Sequence, residues 1–256
     1  MGFGFLVILN YLFSGQFLDL QYFIVYSIEI GFMNNSNKSK QISYSDQEKY
    51  YLDYLIKHEK VKKSKISPLG IHHNHLDEYI RKNVAKLSPG AKILDAGCGI
   101  NAWPTKLMRK KYTIEGIDGE KDAVDFCVKH YSGKYVHGDL YKMPYEDSSF
   151  DAVTMREVIE HFIKPEVSVK EVLRILKPGG LIILTTPNYN SFLLKLIEHT
   201  YNRFFGGSCK PYRDDVHPSK FKLLMLEKLI GKYFKILDHQ TIDLGISQCM
   251  TARKAS

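Results

Sequence analysis

The sequence predicts a doubly wound α/β domain: a mostly parallel sheet with helices on both faces. Three observations point there. Helical and strand-like stretches alternate from Leu76 to Thr185. The apolar run Ile93-Leu94 ends in an acid and a glycine turn, Asp95-Ala96-Gly97-Cys98-Gly99, as a strand does where it hands over to a helix. Lys177-Pro178-Gly179-Gly180 reads as a turn that ends a helical stretch and launches the most strand-like run, Leu181 to Thr185. Strands alternating with helices imply right-handed crossovers, hence parallel neighbours covered on both sides.

A chain of 256 residues can hold one such domain with additions, and its 44% apolar content supplies the core. The net charge of +8 suits an anionic partner or a membrane surface, but equally suits ordinary solvated lysines. Cys98, Cys127, Cys209 and Cys249 lie far apart without CxxC pairing. That fits reduced cytoplasmic thiols better than a disulfide framework or a zinc site.

Residues 1–32 carry no Lys or Arg and are rich in apolar side chains. They lack the positive n-region and cleavage site of a secretory signal, and their apolar runs are too short or too interrupted to span a bilayer. Two readings stand: a weakly membrane-associating segment, or upstream sequence with Met33 as the true start. The polar opening after Met33 favours the second. Residues 33–70 form a polar, basic leader in which Ser45-Asp46-Gln47-Glu48 has capping-box spacing, followed by Tyr50, Tyr51, Tyr54 and Leu55 at helical intervals. Such a helix could pack over a site mouth or cover a sheet edge. The His72-His73-Asn74-His75 cluster has no neighbouring cysteine and no H-E-x-x-H pattern, and its adjacent histidines face different sides of a helix. We expect surface histidines there and no metal site in the chain.

The domain is expected over residues 71–250. Leu76, Ile80, Val84 and Leu87 make a helical stripe, and Ser88-Pro89-Gly90 a turn. The first strand begins at Ile93-Leu94. A helix is expected from Ala102 to Lys110, a strand over Thr113–Ile117, a helix from Glu120 to His130, and strands at Tyr135–His137 and Phe150–Met155. A helix then runs from Pro165 to Leu176.

Open sheets of this kind bind ligands beyond the carboxyl ends of their strands, at the topological switch point. The residues to inspect are therefore Asp95, Asp118, the stretch from His137 to Leu140, Met155 to Glu157, and Thr186 to Asn188. A dinucleotide fingerprint would want a third glycine where Ala102 stands, a substitution that is sometimes tolerated. The acid before the glycines says more. An unpaired carboxylate would repel a pyrophosphate, whereas it could orient a ligand bearing an ammonium or a sulfonium.

On these residues the chain resembles the class I S-adenosylmethionine-dependent methyltransferases, over roughly His75 to Asp238. Ile93-Leu94-Asp95-Ala96-Gly97-Cys98-Gly99 is similar to that family's first motif and Gly116-Ile117-Asp118 to its second. Gly138-Asp139-Leu140, with Met143-Pro144-Tyr145 and Ser149-Phe150-Asp151, is similar to the adenine-holding segment. Glu157-Val158-Ile159-Glu160-His161 and Leu176-Lys177-Pro178-Gly179-Gly180 complete the pattern. Asn101 departs from it, standing where many members have a glycine. The resemblance implies a seven-stranded Rossmann-like sheet, S-adenosyl-L-methionine as cofactor, and a cofactor site made of Asp95, Gly97, Gly99, Asp118, Gly119, Asp139, Leu140 and Arg156. Asp118 stands about twenty positions beyond Gly99, the spacing of an acid that ends the next strand and can accept from both ribose hydroxyls. Asp139 could accept from an adenine amino group, or merely stabilise its own turn.

Methyl transfer from a sulfonium needs mainly alignment, plus removal of a proton if the acceptor is a hydroxyl. The candidate bases are Glu160, His161 and His217. The insertion at 188–220 is where specificity should lie. Phe192, Leu193, Leu196 and Ile197 recur there at helical spacing, followed by Tyr201, Phe204 and Phe205. This stripe is either core or a lid that touches a membrane peripherally. Its layout is similar to that of quinone-precursor O-methyltransferases and favours a hydrophobic small-molecule acceptor. An RNA- or protein-directed methyltransferase is the alternative, supported only by the basic leader, and a non-catalytic cofactor-binding partner is a third reading. No N-P-P-Y-like tetrapeptide follows the fourth strand, where Met155-Arg156-Glu157-Val158 stands, and nucleic acid is disfavoured.

Overall fold

The computed structural model describes residues 68–100, 110–196 and 217–255. The expectations for residues 1–32, for the leader up to residue 67, for the helix at 102–110 and for most of the insertion therefore fall largely or wholly outside the described residues. So do those for Asn101, Ala102 and Cys209.

Helix α1 (Pro68–Val84) leads into β1 (Lys92–Ala96). There follow β2 (Thr113–Asp118), α2 (Lys121–His130), β3 (Lys134–His137) and β4 (Phe150–Arg156). A 3-10 turn (Ile159–His161) and α3 (Pro165–Ile175) lead on to β5 (Leu176–Pro187), and the chain ends with α4 (Leu223–Gly231), β6 (Lys235–Ile242) and β7 (Ser247–Arg253). The strands form one seven-stranded sheet in the order β3-β2-β1-β4-β5-β7-β6. The pairs from β3 to β5 are parallel, whereas β7 runs antiparallel to both β5 and β6. The expected mostly parallel, doubly wound sheet is what the chain builds.

Alternation along the central strands shows why both faces are covered. Ile93, Ala152 and Ile183 pack with Leu76, Tyr79, Ile80 and Val84 of α1 on one side. Leu94, Val153 and Ile182 pack with Val169, Val172 and Ile175 of α3 and Leu226 and Ile230 of α4 on the other. Central parallel strands buried on both faces read as continuous apolar runs, as these do.

Two expectations change. Helix α1 begins at Pro68, earlier than its apolar stripe suggests, and ends at Val84, so Leu87 packs from the following turn. The Lys177–Gly180 segment is no turn between elements but lies within β5. Phe150 pairs with Leu176 and Ala152 with Leu181, so the extra residues bulge out of the ladder. Gly179 takes the bulge's positive φ of 75°. Gly179 N donates to Lys254 O and Lys254 N to Gly180 O, so the bulged segment is pinned to the residue that follows β7. Strand β6 is hard to single out in the sequence because, as an edge strand, it keeps Asp238 and His239 only partly covered and leaves Gln240 exposed. Among the described residues no helix is long and apolar enough to cross a membrane.

Candidate functional site

The chain leaves β1 for β2 on one side, while β4 occupies the other, so the switch point lies beyond the carboxyl ends of β1 and β4. The glycine turn forms its floor. Gly97 N and Cys98 N both donate to Ile117 O, at 2.8 and 3.1 Å, which folds the turn back over β2. Gly97 has φ +79°, and a Cβ there would lie 2.5 Å from Val158 Cγ2. Gly99 has φ +49° with no atom within 4 Å of where its Cβ would stand. One glycine is therefore demanded by close packing, while the other keeps the backbone bare.

Asp118 ends β2, and its carboxylate is already organised: Oδ2 accepts from Gly99 N (2.7 Å) and Oδ1 from Glu120 N (2.9 Å). Each oxygen retains a lone pair for a ligand. Gly119 O takes a hydrogen bond from His137 Nε2 at 3.0 Å. Asp139 is exposed, and its Oδ1 accepts from Tyr141 N (2.8 Å), the self-stabilising turn that sequence reasoning held as the bland possibility. Leu140 beside it is buried. Cys98 packs with Val124, Cys127 and Tyr135, and its thiol is pushed far up by a hydrogen bond with Cys127 and by burial, which suits a packing role.

Asp95 is buried at the end of β1, where Thr154 Oγ1 donates to its Oδ1 at 3.0 Å. Burial pushes its pKa up to about 7, against the lowering effects of Thr154 and of the Arg156 charge. The folded pKa lies above the unfolded value of 3.8, so Asp95's contribution to stability is complete below pH 3.8 and is lost as the pH rises through 7. Asp95→Asn should therefore raise the melting temperature of the ligand-free chain at pH 8, by on the order of a few kcal/mol of stability, with the gain fading towards pH 4. Thermal melts of both proteins across that range check this, and a gain independent of pH would contradict it.

Arg156, expected beside the cofactor, turns to α1. Its Nε pairs with Asp77 Oδ1 at 2.5 Å and its Nη2 lies 2.8 Å from His73 Nδ1. His72 and His75 both bond to Asp243. The histidine cluster thus clamps α1 across the carboxyl ends of the strands, and helix periodicity alone could not have shown that.

The three candidate bases converge. Glu160 and His161 sit on the 3-10 turn after β4, and His217 arrives from the far side of the insertion. Ligand-capable atoms of the three lie within 4.8 Å of one another. Glu160 is 1% exposed, and burial, then the charge of Glu157, hold its pKa well above the usual carboxylate range. Burial pushes His217 down to about 3, so its imidazole is neutral at physiological pH. Residues that sequence reasoning left without a role stand around them. Thr186 Oγ1 donates to Glu160 Oε2 at 2.9 Å, and Tyr189 Oη lies 2.7 Å from His217 Nδ1. Glu157 adopts φ +55°, with its N–H donating to Thr185 O and Oγ1. Thr186 was among the strand-end residues to inspect, without an assigned role; Tyr189 carries no signal in the sequence. Of the insertion's stripe, Phe192 and Leu196 are exposed and Leu193 is half-buried, while the neighbouring Leu194 is buried.

The open backbone at Gly99 and the strand-end acids Asp95 and Asp118 fit a nucleoside cofactor that carries a positive charge. Comparison with known proteins agrees with that geometry. A family described as "Methyltransferase domain" matches residues 94–184. The chain is similar to the demethylmenaquinone methyltransferase of Staphylococcus haemolyticus, with 33% identity over 139 residues, 48% of this chain and 56% of that one. It is also similar to a ubiquinone biosynthesis O-methyltransferase of Xanthomonas campestris pathovar campestris, with 30% identity over 152 residues, 56% of this chain and 63% of that one. The chain spans 30% to 63% of the length of the first curated relatives it matches. Among solved structures, a protein of Pyrococcus horikoshii superposes with a TM-score of 0.59 at 21% identity, covering 75% of this chain and 93% of that chain, a likeness of fold.

Proposed function

We propose, from the premise that this chain carries a class I S-adenosylmethionine-dependent methyltransferase domain, that it transfers the methyl group to a hydrophobic small-molecule acceptor by in-line displacement. The observation that carries the reading is the crevice beyond β1 and β4. There a bare glycine backbone at Gly99 meets the pre-organised carboxylate of Asp118.

When bound, S-adenosylmethionine supplies a methyl carbon already activated by its sulfonium. The chain's task is then to bind and align, which accounts for most of the barrier reduction in such a displacement. In this reading Asp118 uses its remaining lone pairs for the ribose hydroxyls. Asp95 braces the turn through Thr154 and offers negative charge to the ammonium end. Val158, pressed against Gly97, ties the turn after β4 to the glycine turn, so Glu160 and His161 are held at a fixed distance from the cofactor floor. Relatives named for quinone and menaquinone biosynthesis support an apolar acceptor, and the exposed Phe192 and Leu196 agree with one.

A methyl-labelled cofactor incubated with the chain and fractionated cell extract tests the proposal. Label is expected in the metabolite or lipid fraction. Label confined to RNA or protein would overturn the acceptor class, and absence of cofactor binding by calorimetry would overturn the reading altogether.

A further inference from the structure

Arg156 turns to α1 without being used up. Its Nη2 lies 2.8 Å from His73 Nδ1, which must be the acceptor because a guanidinium only donates. Its buried Nε meets Asp77 Oδ1 at 2.5 Å without the alignment of a hydrogen bond. Nη1, with two N–H groups, bonds to nothing among the described residues. The side chain is 12% exposed, so it is held in place with one edge of its fork open. Arginine presents such an edge to a carboxylate or a phosphate.

The sheet's register decides between them. Asp95 stands level with Gly116 on β2 and with Thr154 on β4. Asp118 and Arg156 each lie two residues further along their strands, so all three side chains leave the same face. They form a row across β2, β1 and β4, around the glycine turn. Their closeness shows in the charges that act on Asp95: those of Asp118 and Asp77 are negative, and that of Arg156 is positive. S-adenosylmethionine carries its polar groups in a matching sequence, the ribose hydroxyls, then the sulfonium and the ammonium, then a carboxylate. With the ribose at Asp118 and the ammonium near Asp95, the carboxylate falls at the end of β4. Two strand spacings, about 10 Å, separate the ends of β2 and β4, and the methionine arm reaches as far.

Resting on the methyl-transfer reading above, we propose that Arg156 holds the cofactor's carboxylate through Nη1 and so ties cofactor occupancy to helix α1. The tie runs through contacts already in place. Arg156 meets α1 at His73 and Asp77. His72 and His75 of the same helix bond to Asp243 on the turn before β7. Gly245 O of that turn accepts from Asn188 Nδ2, at the start of the insertion. A carboxylate on the open edge of Arg156 therefore stiffens α1 and, through it, the acceptor's side of the crevice.

Calorimetric titration of the full chain with S-adenosylmethionine and with decarboxylated S-adenosylmethionine tests the contact. Arg156→Gln should weaken binding of the first at least about tenfold and leave binding of the second unchanged or stronger. The decarboxylated ligand controls for folding, since a variant with a disordered site would lose both. Backbone hydrogen exchange over α1 reads the tie. S-adenosylmethionine should slow it in the parent chain but not in Arg156→Gln, and the decarboxylated ligand should slow it in neither. Affinity for S-adenosylmethionine indifferent to Arg156→Gln, or equal losses for the two ligands, overturns the contact and leaves the methyl-transfer reading standing. Slowing of α1 by both ligands alike overturns the tie. Binding of neither ligand by the parent chain overturns the methyl-transfer reading, and this proposal with it.

Discussion

Asp118→Ala is expected to weaken S-adenosylmethionine binding about a hundredfold. The loss has two sources. The carboxylate would no longer meet the ribose hydroxyls, and hydrogen bonds to a charged acceptor contribute roughly 1.5–3 kcal/mol each. The variant also orphans Gly99 N and Glu120 N, which now donate to Asp118 at 2.7 and 2.9 Å. Freed of that anchor, the backbone at Gly99 must be ordered again at the moment of binding. Two such bonds at the lower end of that range, about 3 kcal/mol together, correspond to roughly two orders of magnitude in affinity. Asp118→Asn is the informative control. Its amide can still accept at one atom but turns a donor toward either Gly99 N or Glu120 N, so it should lose much of the affinity with little change of shape. Calorimetric titration of both variants, with circular dichroism to confirm the fold, checks the expectation, and an unchanged dissociation constant for Asp118→Ala would contradict the proposed cofactor site.

Much of this was legible in the sequence, for a physical reason. Strand-end acids and glycine turns are local: the spacing of Gly97, Gly99 and Asp118 is set by the length of one strand–helix–strand unit, so the chain displays it directly. The buried strands were equally plain, since Ile93-Leu94 or Leu181 to Leu184 must be apolar on both faces. What stayed hidden depends on pairings across the fold. Nothing near Tyr189 hints that it will meet His217, and nothing near Arg156 that Asp77 and His73 will claim it. The Lys177–Gly180 segment misled because Pro-Gly-Gly normally ends an element, whereas here Lys254, just past β7, supplies partners that keep it in the sheet. Glu160, His161 and His217 were singled out one by one as bases. That they are one cluster follows only from Ser219 tying the end of the insertion to the turn after β4.

Gly97→Ala should lower the stability of the ligand-free chain by about 3 kcal/mol, from two independent costs. A φ of +79° is open to glycine but costs an alanine about 1 kcal/mol. The added methyl would also stand 2.5 and 2.9 Å from the two γ-carbons of Val158, and overpacking a buried contact costs roughly 1–3 kcal/mol. For a domain of this size the sum corresponds to a melting temperature lower by roughly 10 °C. Gly99→Ala separates the two costs. It shares a positive φ, +49°, but its Cβ meets nothing within 4 Å, so only the conformational part remains and the drop should be about a third as large. The double variant Gly97→Ala/Val158→Ala separates them from the other side, since trimming Val158 makes room for the new methyl; a favourable coupling of about 1 kcal/mol or more is expected between the two positions. Were Gly97→Ala no worse than Gly99→Ala, the contact between the glycine turn and the turn after β4 would be loose. The fixed spacing of cofactor floor and acceptor-side cluster would then have to come from elsewhere. If the contact is as tight as the geometry has it, the same methyl that destabilises the fold also pushes Val158, and with it Glu157 and Glu160, away from the glycine turn. Gly97→Ala should then lower turnover at saturating cofactor by more than Gly99→Ala does, measured at a temperature where both variants are folded.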